Sequence, residues 1–144
     1  MLPIRDHNPS GRTPYVTYTL IAINVLIFLA FNLSLGDGHA LNVFYYDWGM
    51  VPLHISRGQD FYTLVTSQFL HGGIMHIGGN MLFLWIFGDN IEAKFGKVKY
   101  IGIYLMWGVG AGLIHIYGDA GSGIPAVGAS GAIAGILGAY LVMF

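Results

Sequence analysis

The sequence predicts an all-α protein, a polytopic bundle of membrane-spanning helices. Hydrophobic residues make up 55% of the 144 residues and charged residues only 9%, whereas soluble domains carry about 25% charged residues. The mean hydropathy is +0.63. The 22 glycines are also typical of membrane helices, where small residues let helix backbones approach closely. A chain this poor in charge is expected to use the lipid bilayer as its main solvent.

Composition also bears on function. The chain contains no cysteine, which excludes disulfides and thiolate metal sites. A net charge of −1 argues against nucleic-acid binding, which needs a basic patch. No internal repeat stands out, so we expect residues 1–144 to form one membrane domain.

Four apolar segments are expected to cross the membrane. The first runs from about Tyr15 to Leu35, a length that spans a bilayer and exceeds the apolar region of a cleaved signal peptide. The second and third are predicted at residues 73–87 and 100–117. The fourth begins near Ser130 and is still apolar at Phe144, without the basic flank expected on the cytoplasmic side. We therefore expect the record to be truncated within this helix.

Basic residues set the predicted orientation. Of the six lysines and arginines, five precede the first segment or lie between the second and third: Arg5, Arg12, Lys94, Lys97 and Lys99. By the positive-inside rule the N-terminus is cytoplasmic, and residues 36–72 and 118–127 face outward. This pattern favours a plasma (inner) membrane.

The first outer loop, residues 36–72, is long for a simple connection. Its aromatic residues, of the kind that favour the membrane–water interface, include Tyr45, Tyr46, Trp48, Phe61 and Tyr62. We interpret it as an interfacial loop that packs against the bundle; the alternative is a plain tether.

Two polar residues lie inside the second segment, where polar groups are costly and often functional. His76 and Asn80 are four residues apart, so a helix places them on one face. His71 lies about 140° round the helix from His76, a poor spacing for a helical zinc site. A hydrogen bond that holds neighbouring helices together is the structural alternative for His76 and Asn80.

The fourth segment opens with Gly-Ala-Ser-Gly. Gly128 and Gly131 leave Ser130 accessible, and a helix N-terminus offers free N–H groups and a positive dipole end. These features suit a developing oxyanion. An ordinary N-cap or a small packing residue is the alternative for Ser130. Ser130, His76 and Asn80 all fall in the outer third of their predicted helices, so they are expected to meet at one depth.

The sequence resembles the rhomboid family of intramembrane serine proteases. The pattern His-x4-His-x3-Asn, followed by Gly-x-Ser-Gly about 50 residues later, is a specific signature in membrane helices. The resemblance covers nearly the whole chain. It is carried by Asn8-Pro9, Thr13-Pro14 and residues 24–28 (NVLIF), 48–52 (WGMVP), 66–85 (TSQFLHGGIMHIGGNMLFLW) and 128–131 (GASG).

The resemblance implies Ser130 as nucleophile, with His76 and Asn80 as oxyanion donors. It implies supporting roles for His71, Gly128, Gly131 and Glu92. His71 would order the outer loop and the water-accessible cavity, and Glu92 would bond to neighbouring helices. The implied partners are transmembrane protein substrates within the lipid bilayer. No cofactor, metal or nucleic acid is expected.

The general base of the family is a histidine on a sixth helix, beyond the four predicted here. The 144-residue chain alone is therefore expected to be inactive. His7 is expected on the cytoplasmic side, His39 and His54 lie in the outer loop, and nothing in the sequence marks His115 as a base. His76 acting as the base is an alternative, although it would then have to accept the serine proton.

Two other function classes are open. One is a catalytically inactive rhomboid-like protein that binds transmembrane clients without cutting them; the intact Ser130, His76 and Asn80 disfavour it. The other is a small transporter or channel in which histidines relay protons. We rank it last, because no acidic residue falls in the predicted segments and the polar groups cluster on the outer side.

Overall fold

The computed structural model describes residue 6, residues 8–36 and residues 38–144, and their regular structure is helical apart from one isolated β-bridge. The α-helices are α1 (Tyr15–Ile27), α2 (Leu33–Leu35), α3 (His39–Trp48), α4 (Pro52–Ser56), α5 (Thr63–Thr66), α6 (Ile74–Phe95), α7 (Lys97–Gly118) and α8 (Ser130–Met143). A π-helical turn, Phe28–Asn32, joins α1 to α2, and a 3₁₀ turn, Ser67–Phe69, follows α5. The predicted all-helical membrane bundle is confirmed. His7 and Arg5 lie outside the described residues, so their predicted positions stay predictions.

By length and composition, two helical segments can cross a membrane: Tyr15–Leu35, which has the predicted bounds, and Lys97–Gly118. The helix α6 is a third candidate if it is counted together with Thr63–Phe69, from which it is bent by 94°. The apolar helix α8 is shorter, with 14 residues. Within the described residues, up to three of the four predicted segments therefore have the length of a full crossing.

The second segment is predicted to end at about Phe87, and the helix that contains it is longer. The helix α6 continues to Phe95 and ends at Gly96, which has a φ of 82°. Its last turns carry Asp89 and Glu92, which lie beyond the predicted apolar segment. The Glu92 side chain is only 4% exposed. The residues of α1 supply its hydrogen-bond partners, and hydropathy cannot reveal such partners.

The glycine-rich helix α8 packs against both α6 and α7. A Cβ on Gly131 would lie 2.6 Å from the Ala111 Cβ, and a Cβ on Gly135 would overlap the Trp107 side chain. Ile136 is fully buried on the same helix. Small residues thus let α7 and α8 approach closely, as in other membrane helix pairs.

The first outer loop is folded onto the bundle. Residue Met50 forms an antiparallel bridge with Ala126, with N···O distances of 3.0 and 2.8 Å. The Leu53 N–H donates to the Ser122 carbonyl at 2.9 Å. These backbone bonds fasten the loop to the segment that leads into α8, so the loop is more than a tether.

Candidate active site

Ser130 is the first residue of α8 and has an exposed side chain. The N-cap position is Ala129, and no side chain caps the helix. The Ser130 hydroxyl therefore does not act as an N-cap, and the N–H groups of the first turn have no intrahelical acceptors. Two residues earlier, Gly128 turns the chain with a φ of 130°, a conformation that favours glycine.

The His76 imidazole lies close to Gly128, on the side that a Cβ would occupy. A Cβ on residue 128 would lie 2.8 Å from His76 Nε2 and 3.6 Å from Ser130 Oγ. The two side chains therefore border the same small space, which stays open because residue 128 is glycine. The Gly72 N–H donates to His76 Nδ1 over a long 3.4 Å, an arrangement that assigns the ring hydrogen to Nε2.

Asn80 lies one turn after His76 on α6. Its Nδ2 is buried and has no hydrogen-bond partner among the described residues. Buried donors without partners are rare in folded proteins and require an explanation. The amide of Asn80 is thus a donor available to an acceptor that enters from outside.

His71 connects the outer loop to the start of α8. Its side chain is 1% exposed, and its Nε2 accepts a hydrogen bond from the Ala129 N–H at 3.4 Å. Its carbonyl accepts bonds from Asn32 Nδ2 at 3.0 Å and from the Tyr45 hydroxyl at 2.9 Å. Its ring contacts the His76 ring edge-to-face, with centroids 5.1 Å apart.

The charge state of His71 follows from its surroundings. His71 lies in the turn before α6, outside the helix itself. Burial, and to a lesser extent the neighbouring His76, lower the pKa of His71 from 6.5 to about 4. A neutral imidazole is consistent with an Nε2 that accepts a hydrogen bond from Ala129.

Glu92 lies near the opposite end of α6 from His76. Its Oε1 accepts a hydrogen bond from the Val16 N–H at 2.9 Å. Its Oε2 accepts bonds from the N–H and the hydroxyl of Thr17, each at 2.8 Å. The carboxylate therefore holds the N-terminus of α1, where the helix dipole favours negative charge.

A cavity of about 150 Å³ lies beside Ser130. Its lining includes Ser67, Gln68, Gly108, Ala111, His115 and Ser130. Sequence patterns alone do not assign Gln68 or His115 to the site. Gln68 falls in a loop without helical periodicity, and its proximity to Ser130 depends on the packing of α7.

The described residues contain no group of three or more His, Cys, Asp or Glu side chains that could hold a metal ion. His71 and His76 are close to each other, but each uses one ring nitrogen to accept a backbone hydrogen bond. The site as a whole offers a serine hydroxyl with nearby hydrogen-bond donors.

A family model described as the Rhomboid domain matches residues 58–144. This match covers more than half of the chain and includes His71, His76, Asn80 and Ser130. The chain belongs to the rhomboid family. Family membership agrees with the helical fold and identifies the chain as a membrane protein.

Several curated rhomboid proteins are similar to this chain. "Rhomboid protease GluP" of Bacillus subtilis (strain 168) is 33% identical over 89% of this chain and 24% of its own length. "Rhomboid protease AarA" of Providencia stuartii is 29% identical over 88% of this chain and 50% of its own length. "Rhomboid protein 1, mitochondrial" of Saccharomyces cerevisiae is 26% identical over 90% and 36%. The chain thus spans half or less of the length of these three relatives.

Proposed function

We propose that this rhomboid protein is an intramembrane serine endopeptidase that cleaves transmembrane segments of other membrane proteins. The observation that carries the proposal is the space above Gly128, bordered by both Ser130 Oγ and His76 Nε2. The unpaired amide of Asn80 on the same helix as His76 adds a further donor. A nucleophile with neighbouring hydrogen-bond donors is the arrangement that acyl transfer requires.

In the proposed reaction, Ser130 Oγ attacks the carbonyl carbon of the scissile peptide and loses its proton to a base. The carbon–nitrogen bond then breaks, the amine leaves with a proton, and an acyl ester remains on Ser130. Water hydrolyses this ester and restores the hydroxyl. A serine is a weak nucleophile without an adjacent base; by resemblance to the family, a histidine on a further helix supplies it.

The developing negative charge on the carbonyl oxygen is stabilised by hydrogen-bond donors. We assign this role to His76 Nε2–H, Asn80 Nδ2–H and the backbone N–H of Ser130. Donors that are fixed before the reaction stabilise the transition state without reorganisation. His71 has a positioning role, because it holds the Ala129 N–H directly before the nucleophile.

The proposed orientation places the cytoplasm at the end of the bundle where α1 begins and α6 ends. This end is flanked by four of the basic residues: Arg12, Lys94, Lys97 and Lys99. Ser130 lies at the other end, near the outer surface, where water has access. A plasma membrane location, with transmembrane substrates entering from the lipid, completes the proposal.

The test uses full-length protein reconstituted in liposomes with a single-span reporter that carries a different tag on each side. We expect two fragments whose new ends, identified by mass spectrometry, lie near the outer membrane surface. Ser130→Ala should abolish cleavage while the melting temperature stays unchanged. Ser34→Ala, at an exposed serine of α2, is the matched control and should cleave normally.

A fluorophosphonate probe provides a second readout, since it reacts with an activated serine in the absence of any peptide substrate. Labelling should disappear in Ser130→Ala and persist in Ser34→Ala. A folded wild-type protein that binds the reporter but neither cleaves it nor reacts with the probe would support the client-binding alternative instead.

A further inference from the structure

Tyr140 carries the only polar side chain of α8 besides Ser130, and every other residue of this helix is apolar or glycine. Lipid tails are as apolar as such a helix, so the bilayer by itself does not determine how the helix is rotated about its axis. The Tyr140 hydroxyl is therefore the side-chain group through which hydrogen bonds can fix α8 at the end opposite to Ser130.

The Tyr140 hydroxyl is held by the segment that precedes α1. It donates a hydrogen bond to the Asp6 carboxylate and accepts one from Asn8 Nδ2 at 3.1 Å. The Asp6 carboxylate also accepts a bond from the Asn8 N–H at 2.9 Å and another from the Asn90 amide of α6. The phenol thus uses its one hydrogen and also serves as an acceptor, and its two partners both come from the N-terminal segment.

The Tyr140 ring has a separate contact. It meets the Phe87 ring of α6 edge-to-face, with the ring centroids 4.8 Å apart. The helix α6 also carries His76 and Asn80. Tyr140 is therefore the residue at which α8, α6 and the N-terminal segment meet, and the ring contact and the hydroxyl bonds can be removed separately.

The helix α8 connects Tyr140 to the nucleophile without a break. Tyr140 follows Ser130 by nearly three turns, roughly 15 Å along the helix axis. A rotation of the helix at Tyr140 therefore moves the Ser130 hydroxyl relative to His76. The turn before Ser130 is held by main-chain bonds, including the one from the Gly128 N–H to the Ser67 carbonyl at 2.9 Å. These bonds fix the path into the helix, and the Tyr140 hydroxyl fixes the helix at its far end.

We propose that Tyr140 is a positioning residue: held by Asp6 and Asn8, it fixes the rotation of α8 and so aligns the Ser130 hydroxyl with the oxyanion donors. The inference rests on the proposed peptidase activity. In the proposed orientation Tyr140 lies toward the cytoplasm and Ser130 toward the outer surface. Contacts of the N-terminal segment on one side of the membrane thus act on the nucleophile at the other. Their loss lowers the aligned fraction by no more than the equilibrium factor of the bonds removed.

The experiment uses full-length protein in liposomes, well below the melting temperature of each variant. It measures the rate of fluorophosphonate labelling of Ser130, and kcat and KM for the single-span reporter. Tyr140→Phe keeps the ring contact with Phe87 and removes the hydroxyl. We expect the labelling rate and kcat to fall about three- to tenfold, the size of one neutral hydrogen bond. The KM should stay unchanged, because Tyr140 lies far from the reacting atoms.

Asn90→Ala is the matched control. It removes a bond between Asp6 and α6 but leaves the Tyr140 hydroxyl with both of its partners, so it should lower the melting temperature and leave the labelling rate unchanged. Asn8→Ala removes one partner of the hydroxyl and should slow labelling, which tests the inference if Tyr140→Phe fails to fold. Added to Tyr140→Phe, it should slow labelling no further, because both changes act through the same hydroxyl.

The outcomes separate positioning from stability and from the activity itself. If Tyr140→Phe lowers the melting temperature but leaves the labelling rate and kcat at wild-type values, Tyr140 only stabilises the fold and the inference fails. If Asn90→Ala slows labelling as much as Tyr140→Phe does, the assignment to Tyr140 is overturned. If wild-type Ser130 is not labelled and the reporter is not cleaved, the proposed function fails and the inference fails with it.

Discussion

The Glu92 Oε2 atom accepts two hydrogen bonds from Thr17, one from its backbone N–H and one from its hydroxyl, each 2.8 Å long. A helix leaves its first N–H groups without intrahelical acceptors. In a membrane protein these groups must find partners within the chain, because lipid offers none. The carboxylate from α6 meets this need for α1 and ties together two helices that are distant in sequence.

We expect Glu92→Ala to lower the free energy of unfolding by about 3 kcal/mol, because it leaves buried N–H groups of Val16 and Thr17 without acceptors. Thermal unfolding of the purified protein in detergent measures the change. Asp119→Ala, at an exposed carboxylate beyond α7, is the control and should leave stability within about 0.5 kcal/mol. Equal melting temperatures for the two variants would show that the Glu92 contacts contribute little.

From the proposed oxyanion role, Asn80→Ala is expected to reduce kcat by about 10²–10³-fold, as loss of one such donor does in serine proteases. Its stability should change little, because Asn80 Nδ2 makes no hydrogen bond to the residues that the structure describes. Asn90→Ala is an instructive comparison, since the Asn90 amide is bonded to Asp6. It should lower stability and leave the turnover of folded molecules unchanged. Near-normal turnover of Asn80→Ala would indicate a structural role only.

Gly135→Ala and Gly138→Ala form a matched pair on α8. A Cβ at position 135 would overlap the Trp107 side chain, whereas one at position 138 meets nothing within 4 Å. The first change should therefore destabilise the protein by about 1–3 kcal/mol through overpacking. The second should be neutral or stabilising by up to about 1 kcal/mol, because alanine is the better helix former. Comparable melting temperatures for both variants would contradict the close packing of α7 and α8.

Stability should depend on pH through His71. Its pKa is about 4 in the folded protein and 6.5 ordinarily, so below pH 6.5 the unfolded chain binds a proton that the folded chain rejects. The free energy of unfolding is therefore unaffected by this group above pH 6.5. It falls as the pH drops from 6.5 toward 4, by up to about 3 kcal/mol. His71→Gln should make the melting temperature less dependent on pH over this range. His39→Gln, at an exposed histidine, should preserve the wild-type slope.

Hydropathy and spacing predicted the helical membrane fold and the bounds of the first segment. They also placed the start of α8 at Ser130, because a glycine-rich turn precedes an unbroken apolar run. They marked the apolar stretch only to about Phe87, whereas the helix α6 continues to Phe95. Glu92, on this continuation, accepts its hydrogen bonds from α1, and such partners depend on tertiary packing.

The candidate site was predictable to a similar extent. His76 and Asn80 share a helix face through their spacing alone, and Ser130 follows from the Gly-Ala-Ser-Gly motif. Gln68 was not predictable, because its place beside Ser130 requires a glycine on another helix, Gly108, about 40 positions away in the sequence. Single-sequence patterns describe one element at a time and do not report which residues meet across elements.

The bridge between Met50 and Ala126 and the bond from the Gly128 N–H to the Ser67 carbonyl involve only main-chain atoms. Such bonds form whatever side chain a residue carries, apart from the missing donor of proline. The bonds themselves do not depend on the side chains of Met50, Ala126 and Ser67, whereas Gly128 is restricted by its φ of 130°. Substitutions at these three positions can thus leave the hydrogen bonds in place and keep the backbone path that leads into α8.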